Sequence, residues 1–256
     1  MYYLSSILVV IILFGFIALA IETGYRIGIQ RHEKIDNLSK SQINAFTAST
    51  IGMLALSLGF TFSVSLRHYD LREEAVVHEA NAIGTAYLRA DLLPTEIRGE
   101  ATTLLRNYLD VRINSGEGSI EGGEQKETPR NQAANKLDEL WALAMQAAEV
   151  DAGPVKSGLF IQSMNELIDS YGKRSAANTR HVPVPIFVIL FSTFILSGGV
   201  VGFASGVEKH RVPTVAYVLV LIIVLIVFAT FDLDRPRGGL IKVSQECLTN
   251  LQASLK

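Results

Sequence analysis

Hydroxylated side chains recur at helical spacing within one apolar stretch, from Ile43 to Leu66. Residues three or four apart lie on the same face of a helix, so these side chains form one semi-polar stripe that a single leucine interrupts. Two interpretations are open: the hydroxyls bond to carbonyls of their own helix and let neighbouring helices approach, or they line a water-filled path. The stripe consists of Thr47, Thr50, Leu54, Ser57, Thr61 and Ser65.

Basic side chains follow the stripe directly, at Arg67 and Arg72. In a symmetric oligomer each would be repeated as a ring of guanidinium groups, and such rings favour anions at the mouth of a pore. Asp70, Glu73 and Glu74 alternate with them, so intramolecular ion pairs explain the same pattern equally well. An anion-selective mouth and a set of local pairs therefore both remain open.

Two polar residues follow in the same segment, Glu79 and Asn81. They could form a polar constriction or gate of a conducting path. They could equally pin the segment to neighbouring helices through buried hydrogen bonds, in which case loss of one partner would cost about 1–3 kcal/mol.

Charged residues also lie where apolar runs end. Glu22 and Arg26 are four residues apart, a spacing at which a helix brings them into contact. Asp232, Asp234 and Arg235 follow the last apolar run, with Pro236 redirecting the chain. We interpret both groups as structural residues at the membrane interface, with a pore entrance as the alternative for the second.

No pattern typical of an enzyme or of a cofactor site is present. The five histidines are scattered without the spacing of a paired metal site, and we expect neither a metal nor a cofactor. The chain has no G-x-S-x-G elbow and no P-loop. A net charge of −2 gives no basic patch for nucleic acid, and the lone Cys247 excludes an intramolecular disulfide.

The elements that position these residues are helices in and beside a membrane. At 49% hydrophobic residues and a mean hydropathy of +0.30, the chain is too apolar for an ordinary soluble domain. Four apolar runs have the length of a bilayer-spanning helix. They cover Leu4 to Ile21, Ile43 to Leu66, Ile186 to Val207 and Val212 to Phe231. The sequence therefore predicts an all-α integral membrane protein with four transmembrane helices.

The second span should continue without a break into a charged helix, because no proline occurs between Ile43 and Pro94. Further helices are expected from Thr95 to Ile113, from Pro129 onward and from Val155 to Asn178, with a glycine-rich acidic loop over 114–128. They predict a helical aqueous bundle between spans two and three. The predicted domains are 1–66 (spans one and two), 67–181 (aqueous bundle), 182–232 (spans three and four) and 233–256 (an amphipathic tail).

Four spans place both termini on the side of the aqueous bundle. Basic residues in the short loops of the opposite side, such as Arg26, Lys34 and Arg211, favour an external bundle under the positive-inside rule.

The residues from Glu79 to Pro94, EANAIGTAYLRADLLP, together with the sequence DLDRP and then GGLI between Asp232 and Ile241, carry a family resemblance. This chain resembles the bacterial bestrophin-like domain family of four-span membrane proteins, over about Ile43 to Ser244. That family is remotely similar to the bestrophins, homopentameric chloride channels with cytosolic helical domains. The resemblance implies a homo-oligomer, a pentamer by preference, with the second span lining the pore.

The same resemblance implies a bacterial inner-membrane protein with its bundle and termini in the cytoplasm, against the charge count. The sequence lacks the aromatic and proline-rich neck of bestrophins and their acidic calcium clasp. We therefore expect no calcium gating. What the resemblance implies is a bestrophin-like ion channel that conducts anions, with lipid and inorganic ions as its other partners. Two alternatives stay open: a non-conducting scaffold or sensor whose bundle binds a protein or ligand, and a cation-selective channel.

Overall fold

The computed structural model describes residues 6–116, 128–235 and 239–255, and its regular structure is helical throughout these ranges. A short 3-10 turn at His32–Lys34 joins the first two α-helices. The α-helices are α1 (Ser6–Arg31), α2 (Asn37–Ala90), α3 (Thr95–Gly116), α4 (Pro129–Val150), α5 (Ser157–Thr179), α6 (Val184–Val207), α7 (Thr214–Leu233) and α8 (Glu246–Ser254).

Four apolar segments, in α1, α2, α6 and α7, have the length and composition to cross a membrane. Helices α3 and α4 lie between the second and third of them along the chain. The predicted all-α class with four spans and a helical insertion is therefore confirmed, and the protein is a multi-pass membrane protein.

Helix α2 is one continuous element of 54 residues, as the absence of proline predicts. Its first part is apolar and its part beyond Arg67 is charged, so the same helix serves two environments. It ends at Ala90, shortly before Pro94, and α3 begins with Thr95.

The chain divides into two compact units. The membrane unit comprises Met1–His68 and His181–Ile241, and the helical unit comprises Tyr69–Arg180 and Lys242–Lys256. The last helix, α8, thus belongs to the same unit as α3, α4 and α5.

Glycines of α1 and α6 bring these two helices into backbone contact within the membrane unit. A Cβ added at Gly24 would lie 2.1 Å from the carbonyl oxygen of Gly199, and one added at Gly202 would lie 2.0 Å from that of Ile21. Gly28 and Gly206 pack against each other's backbone in the same way. Small residues at a spacing of about four in the third span, such as Gly198 and Gly202, favour close helix packing, and these glycine contacts show it.

Apolar side chains of all four spans form the core of the membrane unit. Helix α2 contributes Leu54 and Leu58, both 5% exposed. They pack in one cluster with Leu13, Ile17, Ile21, Leu190, Phe194, Val224 and Val227.

The helical unit has its own apolar core, to which α2, α3, α4, α5 and α8 all contribute. Its helices begin at sequence signals: Thr128 caps α4 through a hydrogen bond from the Asn131 amide to its hydroxyl, and Pro129 takes the first turn. Leu248 of α8 is fully buried in this core, so the amphipathic tail is part of the bundle.

Two sequence predictions concern residues outside the described ranges. The acidic loop predicted over 114–128 falls on them except at its ends, where α3 continues through Gly116 and Thr128 caps α4. The predicted turn at Pro236 lies entirely outside them.

Candidate functional site

Four of the five hydroxyls of the semi-polar stripe bond to carbonyls of their own helix, whereas the buried Ser65 hydroxyl has no hydrogen-bond partner among the described residues. Thr47 donates to Ile43, Thr50 to Phe46, Ser57 to Met53 and Thr61 to Ser57, at 2.8–2.9 Å. These bonds are the local side chain to backbone bonds that hydroxyl residues form in membrane helices. They still leave each hydroxyl oxygen able to accept a bond from elsewhere.

The stripe is not uniformly accessible within one chain. Leu54, Thr61 and Ser65 are buried, Thr47 and Thr50 are half-buried, and Ser57 is exposed. Leu54 packs in the apolar core of the membrane unit, and Ser65 is fully buried. A pore-lining role for the stripe stays a prediction, and Ser57 is the member that a single chain leaves exposed.

The opposite face of α2 is exposed and rich in small residues. Ser49, Gly52, Gly59 and Ser63 all lie on it, and a Cβ added at either glycine would meet nothing within 4 Å. Large apolar side chains share this face, because Met53, Leu56 and Phe60 lie at helical spacing between Ser49 and Ser63 and are 60% to 71% exposed. In one chain, this small-residue face of α2 is therefore open.

The two arginines beyond the stripe differ completely in environment. Arg67 is exposed, whereas Arg72 is 1% exposed. The Arg72 guanidinium donates to the carbonyl of Ala177 at 3.3 Å and to that of Arg180 at 2.7 Å. These carbonyls belong to the C-terminal end of α5, where backbone acceptors lack helical partners and a cation is favourable. In this fold Arg72 thus caps α5.

We expect Arg72→Met to lower the stability of the protein by about 1–3 kcal/mol, because two carbonyls at the end of α5 lose a charged donor. Methionine keeps the unbranched apolar stem, so the change tests the guanidinium. The measurement is the thermal unfolding midpoint of the purified protein in detergent. Arg67→Met is the control, and equal midpoints for both variants would contradict the capping role.

Glu79 lies at the centre of a buried polar network in the helical unit. Its carboxylate is fully buried and accepts hydrogen bonds from Tyr108 at 2.5 Å and from Arg112 at 2.7 and 3.0 Å. Arg174 donates to the same carboxylate at 2.6 Å and to the side chain of Gln245 at 2.7 Å. The network joins α2, α3, α5 and the segment before α8.

Electrostatics holds this network in its ionised form. Burial alone would raise the pKa of Glu79, but the guanidinium groups of Arg112 and Arg174 outweigh it and hold that pKa below its ordinary value. Burial and the Glu79 charge raise the pKa of the Tyr108 hydroxyl well above its ordinary value, so it remains a donor. Two guanidiniums share one carboxylate, and the Arg112 guanidinium also stacks 5.1 Å above the Tyr171 ring.

Sequence reasoning singled out Glu79 but missed its partners. Tyr108 and Arg112 are four residues apart on α3, which places both on one helix face, and that spacing was the available signal. Asn81, the other residue of the predicted constriction or gate, is exposed. Arg89, nearby on α2, donates to the carbonyl of Leu159 at 3.1 Å.

A second polar cluster lies in the membrane unit around Asp234. Its buried carboxylate accepts from the Val182 amide at 2.9 Å and lies 3.3 Å from Nδ1 of His68 and 3.6 Å from Nδ1 of His181. The Arg235 guanidinium stacks 4.5 Å above the Phe231 ring.

The neighbouring Asp232 is also buried and accepts from the Ile241 amide at 2.8 Å. On α1, Arg26 donates to Glu22 at 2.7 Å, as their spacing predicts. The interfacial roles of these charged residues stay predictions.

Comparison with known proteins places this architecture in a family. The model of the bestrophin-like domain matches residues 9–248. No curated protein is significantly similar to the chain.

Three crystal structures of single-substitution variants of a bacterial bestrophin homologue from Klebsiella pneumoniae have a similar fold. Their TM-scores are 0.66, 0.65 and 0.63, at 15%, 17% and 16% sequence identity. Each alignment covers 94% of this chain and 95–96% of the other. At this identity the likeness shows the fold, whereas the family match extends over nearly the whole sequence. The chain therefore belongs to the bestrophin-like domain family.

Proposed function

We propose that the protein is one subunit of a homo-oligomeric ion channel in the bacterial inner membrane, lined by α2 and selective for anions. The observation that carries this proposal is the open, small-residue face of α2 in a chain of the bestrophin-like family. Lipid surrounds the assembly, and a pentamer is the preferred copy number because of the resemblance to bestrophins.

The packing of the membrane unit favours a pore between copies. The shared face of the four spans is an apolar core, from Leu13 of α1 to Val227 of α7, which would oppose the passage of an ion through one chain. Copies arranged around an axis would place the same helix of each subunit at the centre. Helix α2 suits that position, because its small side chains leave room and its hydroxyl oxygens accept hydrogen bonds.

The lining is proposed from the α2 residues that a single chain leaves accessible. Ser57 from the original stripe, with Ser49 and Ser63, supplies exposed hydroxyls along the membrane-crossing length. Thr47 and Thr50 are half-buried members of the stripe on the opposite face, so they border the lining and do not extend it. The buried Leu54, Thr61 and Ser65 support the lining from behind, through packing of α2 on its neighbours.

Arg67 is the proposed anion-selecting group. It is exposed just beyond the span, whereas the Arg72 guanidinium is engaged at the end of α5. Repeated around an axis, Arg67 would raise the local anion concentration at the mouth of the pore. Asp70 is also exposed, one helical turn further on, and its repetition would favour cations. Selectivity thus depends on which of these two rings lies nearer the path.

The test is the reversal potential of the purified full-length protein in a planar bilayer under a KCl gradient. We expect a shift towards the chloride equilibrium potential, and Arg67→Glu should move it towards that of potassium. Arg130→Glu, an exposed charge reversal on α4, is the control and should leave the potential unchanged.

Two outcomes would overturn parts of the proposal. A wild-type potential near that of potassium would retain the channel and make it cation-selective. Silence across voltage, pH and calcium, from protein shown to be folded and oligomeric, would favour a scaffold or sensor. An open groove of about 330 Å³ between α2 and α5, lined in part by Glu74, His78, Lys173 and Arg180, would then be the first place to seek a ligand.

A further inference from the structure

A small cavity lies in the membrane unit where α1 and α7 meet the loop between α6 and α7. It has a volume of about 120 Å³. The apolar run of α1 reaches Ile21, and α7 begins directly after the loop, so the cavity sits at the level where a span meets the lipid headgroups. Its lining consists of Ile21, Glu22, Tyr25, Arg211, Val212 and Tyr217.

The lining combines a cation with amphipathic and apolar groups. Arg211 offers a planar fork of N–H donors, which matches the oxygens of a phosphate. Tyr25 and Tyr217 add hydroxyl donors on apolar rings, the residue type that membrane proteins place at the headgroup level. The Glu22 carboxylate is paired with Arg26 at 2.7 Å, outside the lining set, so its charge is compensated. An anion is thus favoured in this cavity.

Size and surroundings identify the kind of anion. The cavity is smaller than the sites that enclose whole organic ligands, about 300–1,000 Å³, but has room for a phosphate group. Exposed apolar side chains continue from it along both helices towards the bilayer centre, including Leu19 of α1 and Val218 and Leu221 of α7. These surfaces suit acyl chains that remain in the bilayer while the headgroup enters the cavity.

The loops at this end of the spans carry a net positive charge. The residues from Glu22 to Lys40 and from Glu208 to Arg211 contain six lysines and arginines against four carboxylates. Such an excess attracts anionic lipids over zwitterionic ones.

We propose that this cavity binds the phosphate headgroup of an anionic phospholipid, with Arg211 as its ion-pairing group and Tyr25 and Tyr217 as further donors. Its site is separate from the α2 face of the proposed channel, so the inference stands independently of ion conduction.

The test measures lipid binding to the full-length protein in detergent by native mass spectrometry, with phosphatidylglycerol and phosphatidylcholine as probes. We expect preferential retention of phosphatidylglycerol, and Arg211→Gln should weaken it roughly tenfold, because a charge-assisted hydrogen bond is lost. Lys209→Gln, two residues earlier and outside the lining, is the matched control and should keep the preference. Arg211→Lys should retain part of it.

Three results would overturn the proposal. Equal binding of both lipids would show no headgroup recognition. Equal losses for Arg211→Gln and Lys209→Gln would show diffuse attraction by the loop. If inorganic phosphate displaced phosphatidylglycerol and raised the unfolding midpoint as much as the lipid does, the cavity would be a site for soluble anions instead. The unfolding midpoint of each variant without lipid shows that the protein is folded.

Discussion

Glu79→Gln is expected to destabilise the helical unit by about 3–5 kcal/mol, the cost of breaking a buried ion pair by removing one partner. The substitution preserves the shape of the side chain but leaves the guanidiniums of Arg112 and Arg174 buried without a counter-charge. Proteolysis and hydrogen exchange of α2, α3 and α5 should both accelerate in the full-length protein.

Glu74→Gln is the matched control, since this carboxylate lies on the same helix with its side chain 65% exposed. A surface carboxylate of this kind contributes little, so its loss should leave the unfolding midpoint nearly unchanged. Where Glu79→Gln yields too little folded protein, Tyr108→Phe removes a single donor from the same carboxylate and should cost about 1–3 kcal/mol. Equal midpoints for Glu79→Gln and Glu74→Gln would contradict the structural role of the network.

Acid provides a second readout of the same network. The pKa of Glu79 is lowered by folding, so its contribution to stability is fully present above its ordinary value of 4.5 and is lost as the pH falls through the lowered value. The difference in stability between wild type and Glu79→Gln should therefore narrow below pH 4.5. A difference that stays constant from pH 7 to the acid limit would mean that folding does not lower the pKa of Glu79.

Helix boundaries were accessible from the sequence because they depend on local chemistry. The absence of proline up to Pro94 predicts the unbroken α2, and Thr128 with Pro129 predicts the start of α4, in each case without knowledge of any tertiary contact. The four spans follow equally from length and hydropathy.

The faces that helices present to one another were harder to predict. The stripe on α2 is visible in the sequence, but the burial of its Leu54 depends on α1 and on α6 and α7, which are distant in the chain. For the same reason the sequence could not identify the partner of Arg72, whose guanidinium bonds to the end of α5 some 105 residues away. Its place at a pore mouth stays a prediction. Glu79 finds Arg174 at a separation of 95 residues. Side-chain type indicated that these residues are important, and only the fold pairs them.

The sequence indicated the contact between α1 and α6 from the residues of α6 but not from those of α1. Small residues near Gly202 in α6 favour a close helix neighbour. In α1, Gly24 and Gly28 alternate with Glu22 and Arg26, whose charges indicate an interfacial role instead. In the structure, Ile17 contacts Gly198 and Gly28 contacts Gly206, so residue numbers increase in the same direction along both helices. Helices α1 and α6 therefore run parallel.

We expect Gly202→Ala to disrupt this helix pair, with a loss of stability at or above the upper end of the roughly 1–3 kcal/mol typical of overpacking. The added methyl would lie 2.0 Å from the carbonyl oxygen of Ile21 and 2.8 Å from its carbonyl carbon. These are backbone atoms of a rigid helix, so no side-chain rotation relieves the clash, and the helices must separate along their glycine contact. Separation also removes the close packing that stabilises helix pairs in lipid, where the hydrophobic effect between helices is absent.

The matched control is Gly199→Ala, the same change one helical turn earlier on α6, where the new methyl would meet its nearest atom at an ordinary 3.8 Å. Since alanine also favours the helix over glycine, this control should be neutral or slightly stabilising. The measurement is the temperature above which each full-length variant in detergent no longer elutes as one monodisperse peak in size-exclusion chromatography. A large drop for Gly202→Ala with none for Gly199→Ala would assign the effect to the backbone contact, because both changes alter helix propensity equally. Similar midpoints for the two variants would mean that α1 and α6 pack less closely than their glycines indicate.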